Sequence, residues 1–297
     1  MYKVNLLGKN TFTFPNIFPY EYPEDGDYDF DVFITDAFYL TLENREHPYT
    51  YHFRSEPLDL KDLKTKKLII FNFDKCHIHS LIKSVEEVFG DTDIDVMILT
   101  LHHITDIEKI PSHIHHVGFD FFAFEMANRR NNEDYIFDLM LDTIHFKRPK
   151  KFLCLNKVPH PHRADLKEFM ERENLTEEGW FSYGDWHSDD WKNIDVLSDY
   201  HCDHQFNTNL GLYLTSYFSI WTETLYSGEE IHTVKLTNKV FLSINNLHPF
   251  FMIGQPKTLK HLKDAGFKTF DNFWNEGYDD EFDHDQRMLK IQDELKS

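Results

Sequence analysis

The sequence predicts an α/β fold in two domains, with parallel pairing of the strands. Short runs rich in Val, Ile and Phe recur along the chain, as they do in strands that are buried on both faces of a parallel sheet. Stretches with apolar residues at helical spacing separate these runs, and this alternation is typical of α/β layers. A chain of 297 residues has room for two domains of roughly 100–200 residues each.

In the N-terminal half, each predicted element follows from a local pattern. Residues 12–28 combine proline, aromatic and acidic side chains without a helical period, which predicts a loop. Gly90 follows a helical pattern and predicts the C-terminal stop of that helix. The predicted strands are 31–38, 67–74, 95–103 and 117–127, and the predicted helices are 79–90 and 133–144.

A basic, proline-containing segment at residues 146–151 (FKRPKK) interrupts this pattern. Such a composition is typical of a linker, so we place a boundary there, between an N-terminal domain of residues 1–149 and a C-terminal domain of residues 150–297. Beyond it the alternation starts again. The predicted strands are 151–156, 180–184 (a strand or a turn), 218–224, 248–254 and 268–270, and the predicted helices are 162–173, 237–246, 256–266 and 284–295.

The composition excludes two classes of protein. The 51 acidic and 31 basic side chains give a formal charge of −20. This charge argues against a general nucleic-acid coat protein, because such proteins grip phosphates with Lys and Arg over much of their surface. An aromatic share of 16% is too high for an intrinsically disordered chain.

Cysteine usage and hydropathy favour a cytoplasmic location. Cys76, Cys154 and Cys202 are odd in number and widely spaced, so they support neither a disulfide framework nor a CxxC metal clip. The N-terminus lacks the basic start and apolar run of a signal peptide, and no stretch approaches the ~18 apolar residues of a membrane span. We therefore expect no membrane partner.

Residues 152–166 (FLCLNKVPHPHRADL) predict an anion site. A buried strand ends at Asn156, a loop with Lys157, His160 and His162 follows, and Arg163 lies in the opening turn of a helix. A phosphate can bind at a helix N-terminus and be held there by an adjacent cation. The alternative is an ordinary surface helix whose cations are solvated.

Histidine is abundant, with 19 copies, and its clusters raise a second hypothesis, a metal-dependent hydrolase. Imidazoles and carboxylates bind zinc or iron well. However, no HExxH motif is present, and loop or surface histidines account for the same clusters. We therefore expect no catalytic metal. The clusters are His77 and His79; His102 and His103; His113, His115 and His116; His160 and His162; His201 and His204.

The C-terminal half resembles a family of glycosyltransferases found in phages, large viruses and marine bacteria. The matching motifs occur in the family's order. They are residues 222–224 (TET) at a strand end, 237–241 (TNKVF), 248–254 (HPFFMIG), 266–270 (GFKTF), and Glu276 with Tyr278 and Asp279. The resemblance covers roughly residues 150–291, whereas the N-terminal half matches only in its α/β character.

The resemblance implies a GT-B fold, which has two Rossmann-like domains with an interdomain cleft, and a UDP- or GDP-sugar bound mainly by the C-terminal domain. In this chain Lys239 and Arg163 would neutralise the donor pyrophosphate, so that neither a metal ion nor another cofactor is needed. Glu223 would bind hydroxyl groups of the sugar or ribose. The implied donor site is Asn156, Arg163, Thr222, Glu223, Asn238 and Lys239.

Asn238 departs from the family pattern, in which this position is usually Glu. An amide can still hydrogen-bond ribose hydroxyls, but without the assistance of a charge. This substitution raises a third hypothesis, a catalytically inactive nucleotide- or sugar-binding module.

The catalytic base of an inverting transfer should come from the N-terminal domain, where strand ends meet the cleft. Glu125, which precedes the polar and cationic run at 128–132, is the first candidate and Asp36 is the second. Asp74 and Asp120 also lie near predicted strand ends. Each of these acids is equally typical of a helix cap or a solvated strand end.

Two acceptors fit a transferase of this kind, a glycan and a hydroxylated or hydroxymethylated pyrimidine of phage DNA. A DNA base would have to leave the stack to enter a cleft. A local basic strip suffices for a short DNA footprint despite the negative net charge, and the absence of an amphipathic membrane helix argues against lipid-linked glycans. The candidate strip is Arg129, Arg130, residues 147–151, Lys257, Lys260 and Lys263.

Overall fold

The computed structural model divides the chain into two compact units, Met1–Phe119 and Asp120–Ser297. This division falls earlier in the chain than the domain boundary expected after residue 149. The residues described by the structure are 2–7, 20–21, 27–35, 60–72, 78–104, 110–112, 114–120, 123, 134–156, 159–184, 210–227 and 232–297.

The first unit contains a parallel sheet and a helix, α1 (Ile78–Phe89). Its strands are β1 (Tyr2–Leu7), β2 (Tyr20–Glu21), β3 (Phe30–Thr35), β4 (Lys67–Asn72), β5 (Asp95–Thr100), β6 (His102–Ile104) and β7 (Ile114–Gly118). Six of them form one sheet in the order β2-β1-β3-β4-β5-β7, with parallel pairing throughout. A 3₁₀ turn at Leu60–Asp62 precedes β4.

The core of this unit forms because α1 places an apolar stripe against the sheet. Ile78, Leu81, Ile82, Val85 and Phe89 recur at spacings of three or four, which puts them on one face of the helix. All five are buried. They pack with buried strand residues, which include Leu68, Ile70, Val96 and Ile98.

Three N-terminal elements differ from the prediction. The alternating segment that forms β1 was not predicted as a strand, and β2 falls inside the predicted loop. The strand predicted at 117–127 is wrong, because β7 spans Ile114–Gly118 and Ala123 is helical. The reason is register: Gly118 pairs with Thr100, the last residue of β5, so the neighbouring strand offers no further partner.

The second unit contains a four-stranded sheet with the order β12-β10-β8-β9, again parallel throughout. The strands of this unit are β8 (Lys150–Asn156), β9 (Trp180–Tyr183), β10 (Ser216–Thr222), β11 (Thr233–Lys235) and β12 (Phe250–Ile253), of which β11 lies outside the four-stranded sheet. Its helices are α2 (Asp134–Asp142), α3 (Pro161–Arg172), α4 (Leu210–Leu214), α5 (Asn238–Asn245), α6 (Thr258–Asp264) and α7 (His284–Lys296), with 3₁₀ turns at Thr176–Glu178 and Gly277–Asp280.

The predicted α/β class with parallel sheets is therefore confirmed. The strand predicted at 268–270 is wrong, and this segment has no regular structure. Glu276 explains the difference, because its carboxylate accepts hydrogen bonds from the Phe270 backbone N–H at 3.2 Å and from Thr269 Oγ1 at 3.1 Å. The backbone is thus satisfied by a side chain and not by a neighbouring strand.

Side-chain caps fix where two of the helices begin. Asp283 accepts hydrogen bonds from the backbone N–H groups of Asp285 and Gln286 at the start of α7, and the Thr237 side chain occupies the corresponding position before α5. Such caps satisfy N–H groups that have no partner inside the helix. Among the residues described, no helix combines the length and apolar character needed to cross a membrane.

Gly179 lies against the ring of Phe152, and we expect Gly179→Ala to destabilise the second unit by about 2–3 kcal/mol. A Cβ atom at this position would overlap Phe152 Cε2. Phe152 is buried in β8, so its ring has little room to move. Urea unfolding at equilibrium measures the loss.

Gly266→Ala is the matched control for this substitution. Gly266 has a φ of 90° and open space around it, so alanine there adds backbone strain of roughly 1–2 kcal/mol without a clash. Equal or smaller destabilisation by Gly179→Ala would contradict the packing of Gly179 on Phe152.

Candidate functional site

The sheet of the second unit reverses its winding direction between β8 and β10. The chain runs from β8 to β9 on one side, and from β10 to β12 on the other. In open parallel sheets the carboxyl ends of the strands at such a reversal frame a crevice in which ligands bind. β8 ends at Asn156 and β10 ends at Thr222, so two of the predicted site residues lie at this reversal point.

Asn156 and Thr222 bond directly to each other. Thr222 Oγ1 donates a hydrogen bond to Asn156 Oδ1, and Asn156 Nδ2 donates to Cys154 Sγ at 3.4 Å. Burial raises the pKa of the Cys154 thiol to about 12. Both polar side chains are fully buried, so in this structure they join the two strand ends and do not reach solvent.

Arg163 extends from the first turn of α3 to the end of β10. Its guanidinium donates a hydrogen bond to the Thr222 carbonyl oxygen at 3.0 Å, and only 4% of the residue is exposed. Burial lowers the pKa of Arg163, and the nearby Glu223 carboxylate acts in the opposite direction. Because the guanidinium pKa starts so high, the group stays charged and fixes a positive charge at the reversal point.

Glu223 is the carboxylate at the centre of this cluster, and it is 1% exposed. One oxygen accepts hydrogen bonds from the Thr237 backbone N–H at 3.2 Å and from Thr237 Oγ1 at 3.0 Å. The other lies 3.5 Å from Lys239 Nζ. The carboxylate therefore holds the N-cap residue of α5 and attracts Lys239. The binding of sugar or ribose hydroxyl groups by Glu223 stays a prediction.

Lys239 lies in the first turn of α5, and its positively charged side chain is partly exposed. Its side chain keeps 21% of its area exposed, more than Glu223 or Arg163. Burial lowers the pKa of Lys239, the Glu223 carboxylate opposes that change, and the charges of Arg163 and Lys235 lower the pKa further. The charges of Arg163 and Lys235 thus act on Lys239 beside the buried Glu223 carboxylate, and an incoming anion would favour the charged form of Lys239.

The structure brings the predicted donor-site residues together at one place. Asn238 is the first residue of α5 and is partly exposed next to Lys239. Glu125 and Asp36, the predicted catalytic bases, lie outside the described residues, as do Asp74, Lys157 and the histidines at 201 and 204.

His162 and Tyr226 also lie at the site; the sequence placed His162 in the loop of the predicted anion site, whereas Tyr226 was not predicted. His162 Nε2 lies 2.9 Å from the Glu223 carbonyl oxygen, and its ring stacks on that of Tyr226 with a centroid separation of 4.8 Å. Burial lowers the pKa of His162 to about 3, so the ring is neutral at physiological pH. Since a carbonyl only accepts, Nε2 carries the proton.

Gly254 allows another close approach at the site. It follows β12, and a Cβ atom there would lie 3.2 Å from Thr258 Oγ1 and 3.5 Å from Glu223 Cγ. The glycine that ends the HPFFMIG motif therefore leaves room for the Thr258 hydroxyl group, whereas Glu223 would be at an ordinary contact distance.

Two acids of the last family motif stabilise loops of the second unit. Besides its bonds to residues 269 and 270, Glu276 forms an ion pair with Lys263 at 2.8 Å. Asp279 accepts hydrogen bonds from the backbone N–H groups of Leu259 and Lys260, both at 3.0 Å, at the start of α6. These contacts show what the two acids do inside the fold.

Two buried histidines predict a loss of stability in mild acid. Burial lowers the pKa of His162 to about 3 and that of His248 to about 4, from 6.5. Between these values and 6.5 the unfolded chain binds more protons than the folded one, so stability falls as pH decreases from 6.5 toward 4. Each histidine contributes a slope of up to about 1.4 kcal/mol per pH unit.

The substitution His248→Asn tests this prediction. His248 Nδ1 lies 2.8 Å from Ser219 Oγ, and its Nε2 lies 2.8 Å from the Ser216 carbonyl oxygen, and an amide can keep part of these bonds. We expect the variant to be less stable at pH 7 but to show a shallower decline between pH 6.5 and 4.5 in urea unfolding. An unchanged slope would show that His248 does not resist protonation in the folded state.

Comparisons of the chain with family models, with curated proteins and with solved structures found no match. Function must therefore be inferred from the side chains at the reversal point and from the motifs of the C-terminal half.

Proposed function

We propose that this protein is a glycosyltransferase of GT-B architecture that moves a sugar from a nucleotide-sugar donor to a hydroxyl acceptor. The observation that supports this most is the group of two cations at the end of β10: Lys239 Nζ lies 3.5 Å from a Glu223 carboxylate oxygen, and the Arg163 guanidinium donates a hydrogen bond to the Thr222 carbonyl oxygen. The group lies where a parallel sheet reverses its winding, which is the usual ligand position in such sheets. Two positive charges at this position suit a diphosphate.

The proposed chemistry uses these cations to stabilise the leaving group. The acceptor hydroxyl attacks the anomeric carbon while the bond from that carbon to the diphosphate oxygen breaks. Negative charge then grows on the departing diphosphate, and Lys239, with the N-terminus of α5 and Arg163, would stabilise it. The proton of the acceptor would pass to a carboxylate, for which Glu125 and Asp36 remain the candidates. No metal ion or other cofactor is required in this scheme.

We propose a UDP- or GDP-sugar as the donor, with Asn238 beside the ribose. Asn238 is partly exposed at the start of α5 and adjacent to Lys239. Its amide can donate one hydrogen bond and accept another, which suits a pair of hydroxyl groups.

The acceptor is a glycan or a modified pyrimidine in DNA, and the described lysines favour the glycan. Lys257 pairs with Asp280, Lys260 pairs with Asp264, and Lys263 pairs with Asp271 and Glu276. Lys151 pairs with Glu178. Lysines neutralised in this way contribute less to a phosphate-binding strip. For either acceptor we propose a cytoplasmic enzyme with no membrane partner.

A ligand screen by thermal shift tests the proposed function. With EDTA present, UDP or GDP should raise the melting temperature of the protein by mass action, and Arg163→Ala should reduce that rise. Arg172→Ala is the matched control, because Arg172 lies at the other end of α3 with an exposed side chain. In a parallel screen without EDTA, stabilisation by zinc and not by either nucleotide would favour the metal-dependent hydrolase and contradict the proposal.

Incubation with acceptors separates a transferase from an inactive binding module. The protein would be mixed with UDP- and GDP-sugars and either oligosaccharides or DNA containing hydroxymethylcytosine, and the products analysed by mass spectrometry. Mass added to one acceptor supports the proposal. Nucleotide binding without transfer to any acceptor supports the inactive module.

A further inference from the structure

A group of stacked side chains connects the C-terminal helix α7 with the turn that follows β10. The rings of His160 and His162 stack at a centroid separation of 5.8 Å, and those of His162 and Tyr226 at 4.8 Å. The guanidinium carbon of Arg287, which belongs to α7, lies 4.1 Å from the centroid of the Tyr226 ring. Planar groups from α3, the turn and α7 are thus in contact.

Arg287 and its helix contact Tyr226 at three places: the face of its ring, its carbonyl oxygen and its hydroxyl group. The guanidinium donates a hydrogen bond to the Tyr226 carbonyl oxygen and another, at 2.8 Å, to that of Glu281. The Tyr226 hydroxyl donates to the carbonyl oxygen of His284 at 3.1 Å. Arg287 is 1% exposed, and a guanidinium so deeply buried requires such hydrogen bonds.

The other end of the stack fixes the backbone around Glu223. His162 donates to the Glu223 carbonyl oxygen, and Arg163 donates to that of the preceding residue. The Glu223 N–H donates to the Ile253 carbonyl oxygen at 2.8 Å. Since the peptide groups on both sides of Glu223 are held, its side chain starts from a fixed position and its carboxylate meets Lys239.

We infer that His162, Tyr226 and Arg287 are positioning residues for the anion site, through which the C-terminal helix fixes Glu223 and, through Glu223, Lys239. The inference rests on the proposed function for the identity of the ligand. None of the three residues has to touch that ligand. Their contribution is to keep the carboxylate and the ammonium group at the separation that an incoming phosphate requires.

Substitutions of Tyr226 test this inference, with inorganic pyrophosphate as the probe. Tyr226→Phe keeps the ring and removes the hydroxyl, whereas Tyr226→Leu removes the stacking partner of His162. Isothermal titration should give an affinity for Tyr226→Phe within about twofold of the wild type, and an affinity for Tyr226→Leu weaker by about tenfold or more.

Met288→Ala is the matched control on the same helix. Met288 is buried in α7, so its truncation destabilises the helix packing, but no ring contact or hydrogen bond described here joins it to the stack. Its affinity for pyrophosphate should stay within about twofold of the wild type. Weakening equal to that of Tyr226→Leu would overturn the inference, because general destabilisation would then explain both variants.

Histidine NMR of the protein without ligand supplies a readout that does not depend on pyrophosphate. His162 faces the cations Arg163 and Lys239 and the ring of His160, and in the wild type it should stay neutral, with the proton on Nε2, down to pH 5. In Tyr226→Leu the exposed ring should titrate between pH 5 and its ordinary pKa of about 6.5.

The two measurements distinguish the inference from the proposed function. If the wild type binds no pyrophosphate, the proposed function fails and the NMR result alone decides the inference. Titration of His162 in Tyr226→Leu supports the positioning role, and an unchanged His162 overturns it. If the wild type binds, undiminished affinity in Tyr226→Leu overturns the inference and leaves the proposed function standing.

Discussion

Glu223→Gln is expected to lower the free energy of unfolding of the second unit by about 3–5 kcal/mol, because it removes the negative charge from among buried cations. Glutamine can keep one acceptor for the Thr237 N–H, but its amide NH₂ group would face Lys239, another donor. Equilibrium unfolding in urea measures the loss. Glu281→Gln is the matched control, since Glu281 forms a more exposed ion pair with Lys290 and should cost less than about 1 kcal/mol.

The same variant is expected to be stabilised by anions more strongly than the wild type is. Without the internal carboxylate, the cations have more to gain from an external anion, so pyrophosphate should raise the melting temperature of Glu223→Gln more than that of the wild type. A loss of stability no larger than that of Glu281→Gln would contradict the claim that the Glu223 carboxylate stabilises the fold by compensating the neighbouring cations. So would an identical response to pyrophosphate.

Lys239→Ala is expected to weaken the binding of a nucleoside diphosphate by roughly 10- to 100-fold, the value of one charge-assisted contact. Among the site's charged groups, Lys239 combines partial exposure with a position at the start of a helix. Isothermal titration with UDP and GDP in EDTA measures the change. Lys260→Ala is the control, because Lys260 pairs with Asp264 on the surface of α6; an equal effect of both substitutions would place the nucleotide elsewhere.

The binding of the diphosphate should also depend on pH in a way that identifies Lys239. Burial lowers the pKa of this lysine, so its positive charge is lost at a lower pH than in an exposed lysine, whose pKa is about 10.4. Affinity should therefore fall as pH rises through the lowered pKa. Lys239→Arg should abolish that decline, because a guanidinium keeps its charge. A decline of the same size in both proteins would assign the titration to another group.

Much of the candidate site could be predicted from the sequence because its residues follow strand ends and helix starts. Asn156 ends β8, Thr222 ends β10 and Lys239 opens α5. In a parallel sheet the carboxyl ends of all strands meet at one edge, so residues that are far apart along the chain arrive there together. Local pattern and topology were sufficient for this part.

The internal role of Glu223 could not be predicted in the same way. Its partners Thr237 and Lys239 follow it by 14 and 16 positions, across a turn and a strand whose path the sequence pattern does not specify. A carboxylate in a strand-end motif is compatible with binding a ligand or with capping a helix. Only the packing decides between these uses.

The stack of His162, Tyr226 and Arg287 left no periodic signal at all. Arg287 and Tyr226 are 61 positions apart, and an arginine in an amphipathic terminal helix ordinarily lies on the solvated face. The nearest local indication was the histidine pair at 160 and 162, which lies in the loop of the predicted anion site and forms ring contacts in the structure. Stacking between distant elements depends on tertiary packing that no local period encodes.

Lysine footprinting tests the central claim most directly. The protein would be acylated briefly with and without saturating UDP or GDP, and the modified lysines quantified by mass spectrometry. The account predicts that the nucleotide protects Lys239, whose lowered pKa makes its amine reactive, while Lys260 is modified to the same extent in both samples. Unchanged modification of Lys239 at saturating nucleotide would contradict the assignment of the diphosphate to this site.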